Sequence, residues 1–135
     1  MAMDYAAEMK EAEGCKKVAR AYEMPHGQQV TVGAERFRAN EEVYFQPALG
    51  GQDHRSLPEM VDDAIQACPM SMQAILYARV IPCGGATLSP GFCERLRVEL
   101  GRLRPRMLIG VDLFIERKYT MWTGGFTLVE SGEEL

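Results

Sequence analysis

Two stretches carry residues able to do chemistry. The first is VIPCGGATLSPG, from Val80 to Gly91, where an apolar stub runs into Gly84-Gly85 and an amphipathic stretch follows Pro90-Gly91. A strand, a glycine turn and a helix start together make a generic anion site. Backbone N–H groups there lack partners, and the helix dipole favours negative charge. Glycine also lets a flat ring or a phosphate approach the backbone closely. The stretch matches neither G-x-x-x-x-G-K-[ST] nor G-x-G-x-x-G, so on these residues alone a structural turn is the simpler reading. The second is Lys118, between Arg117 and Tyr119 and just past the apolar run MLIGVDLFI. It reads either as a surface lysine at a strand end or as a cation at the mouth of a sheet, where open α/β folds bind ligands.

The other titratable groups point to no reaction. Asp62 and Asp63 are adjacent within one helix and project in different directions, so they form no acid–base pair. His26 belongs to a turn and His54 to a loop, and no Ser-His-Asp or Cys-His arrangement is apparent in the spacing. The run ERLRVELGRLRPR holds Arg95, Arg97, Arg102, Arg104 and Arg106 against Glu94 and Glu99. Mixed signs on a helix read as a solvated face. Cys15, Cys68, Cys83 and Cys93 form no C-x-x-C pair, and no histidine stands at ligand spacing. No metal site is expected, and the cysteines read as free thiols of a reducing compartment.

These candidates need elements to position them. The stretch from Asp4 to about Val18 has Tyr5, Met9 and Ala12 at helical spacing. Pro25-His26-Gly27 is turn chemistry, and Val30 and Val32 alternate with polar neighbours, which predicts a β-hairpin. AERFRAN is long enough for a turn or two of helix, and FQPALGGQDH reads as a Pro/Gly loop. Ser56 followed by Glu59 is a capping-box pattern. Leu57, Met60, Val61, Ala64, Ile65 and Cys68 then form one apolar stripe, which Pro69 ends. Ser71 is the expected cap of a second helix carrying Met72, Ile75 and Leu76. RVIPC is a short strand candidate. GFCERLRVELGRL is helical, with Phe92, Leu96, Leu100 and Leu103 inward. MLIGVDLFI is expected to be a buried strand. A last element from Tyr119 holds Trp122 and Gly124-Gly125. Alternating strands and helices say α/β or α+β.

Bulk properties fit one ordinary globular domain. The 135 residues are 47% hydrophobic and 25% charged, with net charge -4. That length buries a core without staples, and the acidic balance argues against a nucleic-acid partner. No apolar run reaches a membrane span, and the acidic start MAMDYAAEMK is no signal peptide.

Four blocks together resemble the C-terminal part of the actin family. YEMPHGQQVTVGAERFRANE is similar to that family's Y-E-L-P-D-G-Q, strand and N-E-R-F-R segment. YFQPALGG resembles its L-F-Q-P-S block. LYARVIPCGGATLSPGFCERL resembles its L-Y-x-N-x-x-x-S-G-G-x-T-x-x-P-G block, and ERKYTMWTGGFTLVES its E-R-K-Y-S-x-W-I-G-G terminus. The resemblance runs from Asp4 to about Ser131. It implies that the glycine loop lies under the adenosine of bound ATP or ADP. Gly84, Gly85 and Ala86 would stand against the nucleotide with Leu88 nearby, and Lys118 would line the adenine pocket.

The departures also carry expectations. Cys83 replaces a serine, Ser89 replaces a tyrosine that packs near adenine, and Phe114-Ile115 replaces two prolines. Losing a buried ring removes roughly a kcal/mol or more of apolar contact. The resemblance implies that the phosphate-binding hairpins, the metal-positioning aspartate and the water-orienting residues lie upstream of this chain. Phosphoryl transfer needs all of these, so the chain by itself is expected to be no enzyme, and Mg²⁺ would belong to the full-length parent. The implied fold is a mixed α/β, partial actin-like (ribonuclease-H-like ATPase) fold without its upstream strands. Residues 1–52 would belong to the small hairpin-and-helix subdomain and 53–135 to the large sheet subdomain and following helix. Implied partners are nucleotide and other actin-like subunits or complex members, with no nucleic acid and no membrane. Self-association or marginal stability would follow from uncovered edges. The implied location is cytoplasmic and cytoskeletal, or nuclear. The alternative function is a nucleotide-independent scaffold module, favoured by Cys83 and Ser89.

Overall fold

A computed structural model describes residues 19–33 and 35–132. The helix expected from Asp4 to about Val18, and Cys15 within it, lie outside the described residues. The chain divides into two compact units, Met1–Met60 and Val61–Leu135.

In the first unit, β1 (Arg20–Glu23) and β2 (Gln29–Val32) pair antiparallel, with Arg20 opposite Val32 and Glu23 opposite Gln29. The turn between them closes as Pro25-His26-Gly27 predicts: Gly27 N–H donates to the Met24 carbonyl at 2.8 Å, and Met24 N–H to the Gln28 carbonyl at 2.8 Å. Helix α1 (Glu35–Asn40) runs into a single π turn, Glu41–Phe45. The π turn buries Glu41 and Phe45, and Gln46 Nε2 donates to Glu41 Oε1 at 2.8 Å. FQPALGG is not simply a loop. Pro47–Gly50 forms a 3₁₀ turn, because proline at the first position has its φ already set and no N–H to lose.

Helix α2 (Leu57–Gln66) starts where the capping box places it. Ser56 N–H and Oγ both donate to Glu59 Oε2, at 2.8 and 2.7 Å. Within the apolar stripe Ile65 is buried, while Met60 is exposed.

In the second unit, α3 (Met70–Ala78) corrects the expected cap. Pro69 occupies that position, and Ser71 lies inside the helix. Proline with φ −53° begins the helix a turn-step earlier, and its carbonyl accepts from Met72 N–H at 2.8 Å. Tyr77, rather than Met72 or Ile75, is the buried side chain of α3. Helix α4 (Phe92–Leu103) buries Phe92, Leu96 and Leu100 as expected, and Leu103 is exposed. Its arginine face is not uniformly solvated. Arg95 is 5% exposed, and its Nε donates to Glu99 Oε1 at 2.7 Å. Helix α5 (Thr120–Ser131) buries none of its residues.

The buried strand expected at MLIGVDLFI is absent. Val80 and Val111 form one isolated parallel bridge, and Leu108 and Ile115 are 81% and 95% exposed. An all-apolar strand needs neighbours and cover on both faces, and among the described residues this segment pairs only with the chain around Val80. Among the described residues the fold is thus mixed α/β with a two-stranded sheet.

Candidate functional site

The glycine stretch forms a compact turn. Gly84 has φ 97° and ψ 161°, a conformation open to glycine and strained for other residues. Gly85–Leu88 is a 3₁₀ turn that follows it. At its two ends Thr87 N–H donates to the Gly84 carbonyl and Ser89 N–H to the Ala86 carbonyl, each at 3.2 Å. A Cβ built at Gly84 or Gly85 would meet nothing within 4 Å. The surface over both glycines is therefore open to a flat ligand. Ala86 and Leu88 are exposed beside them.

Helix α4 does not begin on this turn. It starts only at Phe92, with Gly91 as its cap. The helix start of the strand–turn–helix reading therefore lies at Phe92, where the sequence places it, beyond the 3₁₀ turn that follows Gly84. What the turn offers is bare backbone, not a helix dipole.

Lys118 is brought close through its neighbour. Gly84 N–H donates to the Arg117 carbonyl at 2.9 Å, so the chain carrying Lys118 runs beside the glycine turn. Gly84, Gly85, Ala86, Leu88 and Lys118 thus share one locality despite their separation in sequence. The Lys118 ammonium sits over the Tyr119 ring, 4.9 Å from its centroid, a cation–π contact.

Sequence reasoning missed two residues of this locality. The Arg117 guanidinium donates from Nε to Thr87 Oγ1 at 3.2 Å and from Nη2 to the Thr87 carbonyl at 3.1 Å. Thr87 Oγ1 in turn donates to the Gly84 carbonyl at 2.7 Å. Thr87 is 7% exposed. No local pattern signals this pair, since its members stand 30 residues apart. Cys83 is partly exposed and Cys93 buried. Burial pushes the Cys93 thiol up, against a smaller opposing effect of the nearby Arg117 charge, as befits a cysteine packed in the core.

A groove of about 610 Å³ lies elsewhere. It opens between Leu113–Glu116 and the Thr120, Thr123, Gly124 and Thr127 side of α5. It contains none of the glycine-turn residues. A single wall encloses no volume, so the turn's openness and the groove's size report different things. Among the described residues, no three His, Cys, Asp or Glu side chains gather as a metal site.

The comparisons with known proteins agree in direction. A family model described as Actin matches residues 2–133. The chain is similar to Actin-like protein 7B of Macaca fascicularis and of Homo sapiens. It is 40% identical to each over 108 residues, covering 79% of this chain and 26% of each relative. The matched region thus spans about a quarter of the length of these relatives.

Proposed function

This chain belongs to the actin family, and from that premise we propose that it supplies one wall of an adenine-nucleotide site in an actin-like protein. The observation that carries the reading is the Gly84 N–H to Arg117 carbonyl hydrogen bond at 2.9 Å. It sets the bare Gly84-Gly85 backbone next to the backbone that bears Lys118. Gly84 and Gly85 would receive the flat face of adenosine, Ala86 and Leu88 would flank it, and Lys118 would exchange the Tyr119 ring for the ligand. These groups bind and orient. They include no carboxylate or histidine to activate a water, so the role assigned to this wall is holding ATP or ADP, without turnover.

Calorimetric titration of the chain with Mg-ATP tests the reading, with Gly85→Trp as the control and light scattering to fix the mass. Gly85 has an ordinary φ and open space around its Cβ position, so tryptophan there is expected to cover the turn without unfolding it. Saturable binding abolished by Gly85→Trp supports the adenosine wall. A folded chain that binds no Mg-ATP overturns it.

One observation favours a second reading, a nucleotide-independent module that joins other actin-like subunits or complex members. Helix α5 carries Met121, Trp122, Phe126 and Val129, all exposed. Apolar side chains gathered on one exposed element mark an association surface.

A further inference from the structure

We propose that Arg117 is the positioning residue of this site, clamping the glycine turn and the Lys118 backbone together in the arrangement that receives the ligand. The inference rests on the adenosine-wall reading.

The geometry is a closed circuit of hydrogen bonds. The Arg117 carbonyl accepts from Gly84 N–H at 2.9 Å. The Arg117 guanidinium reaches Thr87 Oγ1 at 3.2 Å and the Thr87 carbonyl at 3.1 Å. The Thr87 hydroxyl closes the circuit by donating to the Gly84 carbonyl at 2.7 Å. A third arm, Arg117 Nη1, donates to the Phe114 carbonyl at 3.3 Å, which ties the clamp to the segment leading into it.

Such a clamp has work to do here. A four-residue 3₁₀ turn has poor intrinsic hydrogen-bond geometry, and two adjacent glycines give its backbone more conformational freedom than any other pair. Left alone, the turn would sample many shapes, and binding would bear the entropy of choosing one. The guanidinium is a rigid fork that serves two acceptors of one residue at once. An ammonium on a flexible stem is a point charge that cannot reproduce it. Because Lys118 follows Arg117 directly, the same anchor fixes the origin of the Lys118 side chain. Arg117 and Thr87 act through the turn, without touching the ligand themselves.

The test compares the chain with Arg117→Lys, Thr87→Val and Thr87→Ser. Amide hydrogen exchange is followed at Gly84 and Thr87, with the Leu96 and Leu100 amides of α4 as the folding control and Mg-ATP affinity as the second readout. Arg117→Lys is expected to speed exchange at Gly84 and Thr87 by about tenfold and weaken Mg-ATP by about tenfold, with α4 still protected. Thr87→Val is expected to repeat both effects, and Thr87→Ser, which keeps the hydroxyl, to restore them. If Arg117→Lys loses protection in α4 as well, Thr87→Val decides in its place. Unchanged exchange at Gly84 and Thr87 overturns the clamp. Faster exchange with unchanged Mg-ATP affinity overturns its role in binding. A wild-type chain with protected Gly84 that binds no Mg-ATP overturns the adenosine wall and the ligand role of Arg117 with it, and exchange then decides the clamp separately.

Discussion

Asp62 and Arg104 stand 42 residues apart and meet as a fork on a carboxylate, Nε to Oδ1 and Nη2 to Oδ2, both at 2.7 Å. Tyr77, with no exposed surface, donates its hydroxyl to Asp62 Oδ1 at 2.5 Å and accepts from Gln66 Nε2 at 3.0 Å. The cluster joins α2, α3 and the end of α4. Bidentate charge-assisted pairs hold geometry as well as energy. The Asp62 hydrogen bond raises the Arg104 pKa, so this arginine keeps its charge throughout the accessible pH range. Tyr77→Phe is expected to cost about 1.5–3 kcal/mol, the net worth of a hydrogen bond to a charged group. Asp62→Ala strips both the fork and the phenol of their acceptor, and its denaturation midpoint is expected to fall below that of Tyr77→Phe at unchanged m. An Asp62→Ala chain as stable as the wild type would sink this account.

That cluster also marks where sequence reading stops. The sequence shows only that Asp62 and Asp63 form no acid–base pair, because the partners of Asp62 are set by tertiary folding and leave no local period. The same holds for Arg117 and Thr87. The hairpin, α2 and α4 were legible because a turn, a capping box and a 3.6-residue stripe are local signals. The locality of Gly84 and Lys118 was visible only through the resemblance of four blocks. The run Met107–Ile115 misled because apolar composition reports what a segment prefers to bury, and says nothing of the neighbours it needs.

Gly110 and Gly101 give a pair of opposite expectations. A Cβ on Gly110 would lie 2.1 Å from the Ala78 carbonyl oxygen, a backbone atom that cannot swing away. Gly110 also bonds on both sides, N–H to the Tyr77 carbonyl at 3.0 Å and carbonyl from Val80 N–H at 2.9 Å. Gly110→Ala is expected to destabilise by roughly 1–3 kcal/mol or more. Gly101 lies within α4 with nothing within 4 Å of its Cβ position, so Gly101→Ala is expected to stabilise by about 0.5–1 kcal/mol. Thermal unfolding of both variants checks the pair, and Gly110→Ala melting with the wild type would refute the close approach.

Acid should weaken the start of α2. The Ser56 hydroxyl and then its N–H hold the Glu59 carboxyl below its usual pKa. A depressed folded pKa gives stability that is present above the unfolded value, about 4.3, and is lost as pH falls through the folded value. Ser56→Ala is expected to cost about 1 kcal/mol near neutrality. The difference from wild type should narrow as Glu59 protonates below about pH 4. Urea titrations across that range measure it; a gap that stays constant into acid would show that the carboxylate is not the acceptor that matters.

Helix α5 should make the chain concentration-sensitive. Trp122 is 73% exposed and stacks on Phe126, ring centroids 5.9 Å apart and planes at 12°. Met121 and Val129 extend the apolar surface. The three threonines of this helix donate their hydroxyls to carbonyls one turn back, Thr120 to Glu116 at 3.3 Å, Thr123 to Tyr119 at 3.1 Å and Thr127 to Thr123 at 3.0 Å. Burying such a surface gains about 25 cal/mol per Å², so a second copy is an available cover when no other is present. Scattering mass is expected to rise with concentration while Trp122 emission shifts to the blue. Met121→Glu should reverse both with helical circular dichroism unchanged. Red emission from a persistent monomer at every concentration would mean that this face stays solvated, and that association between copies needs some other surface.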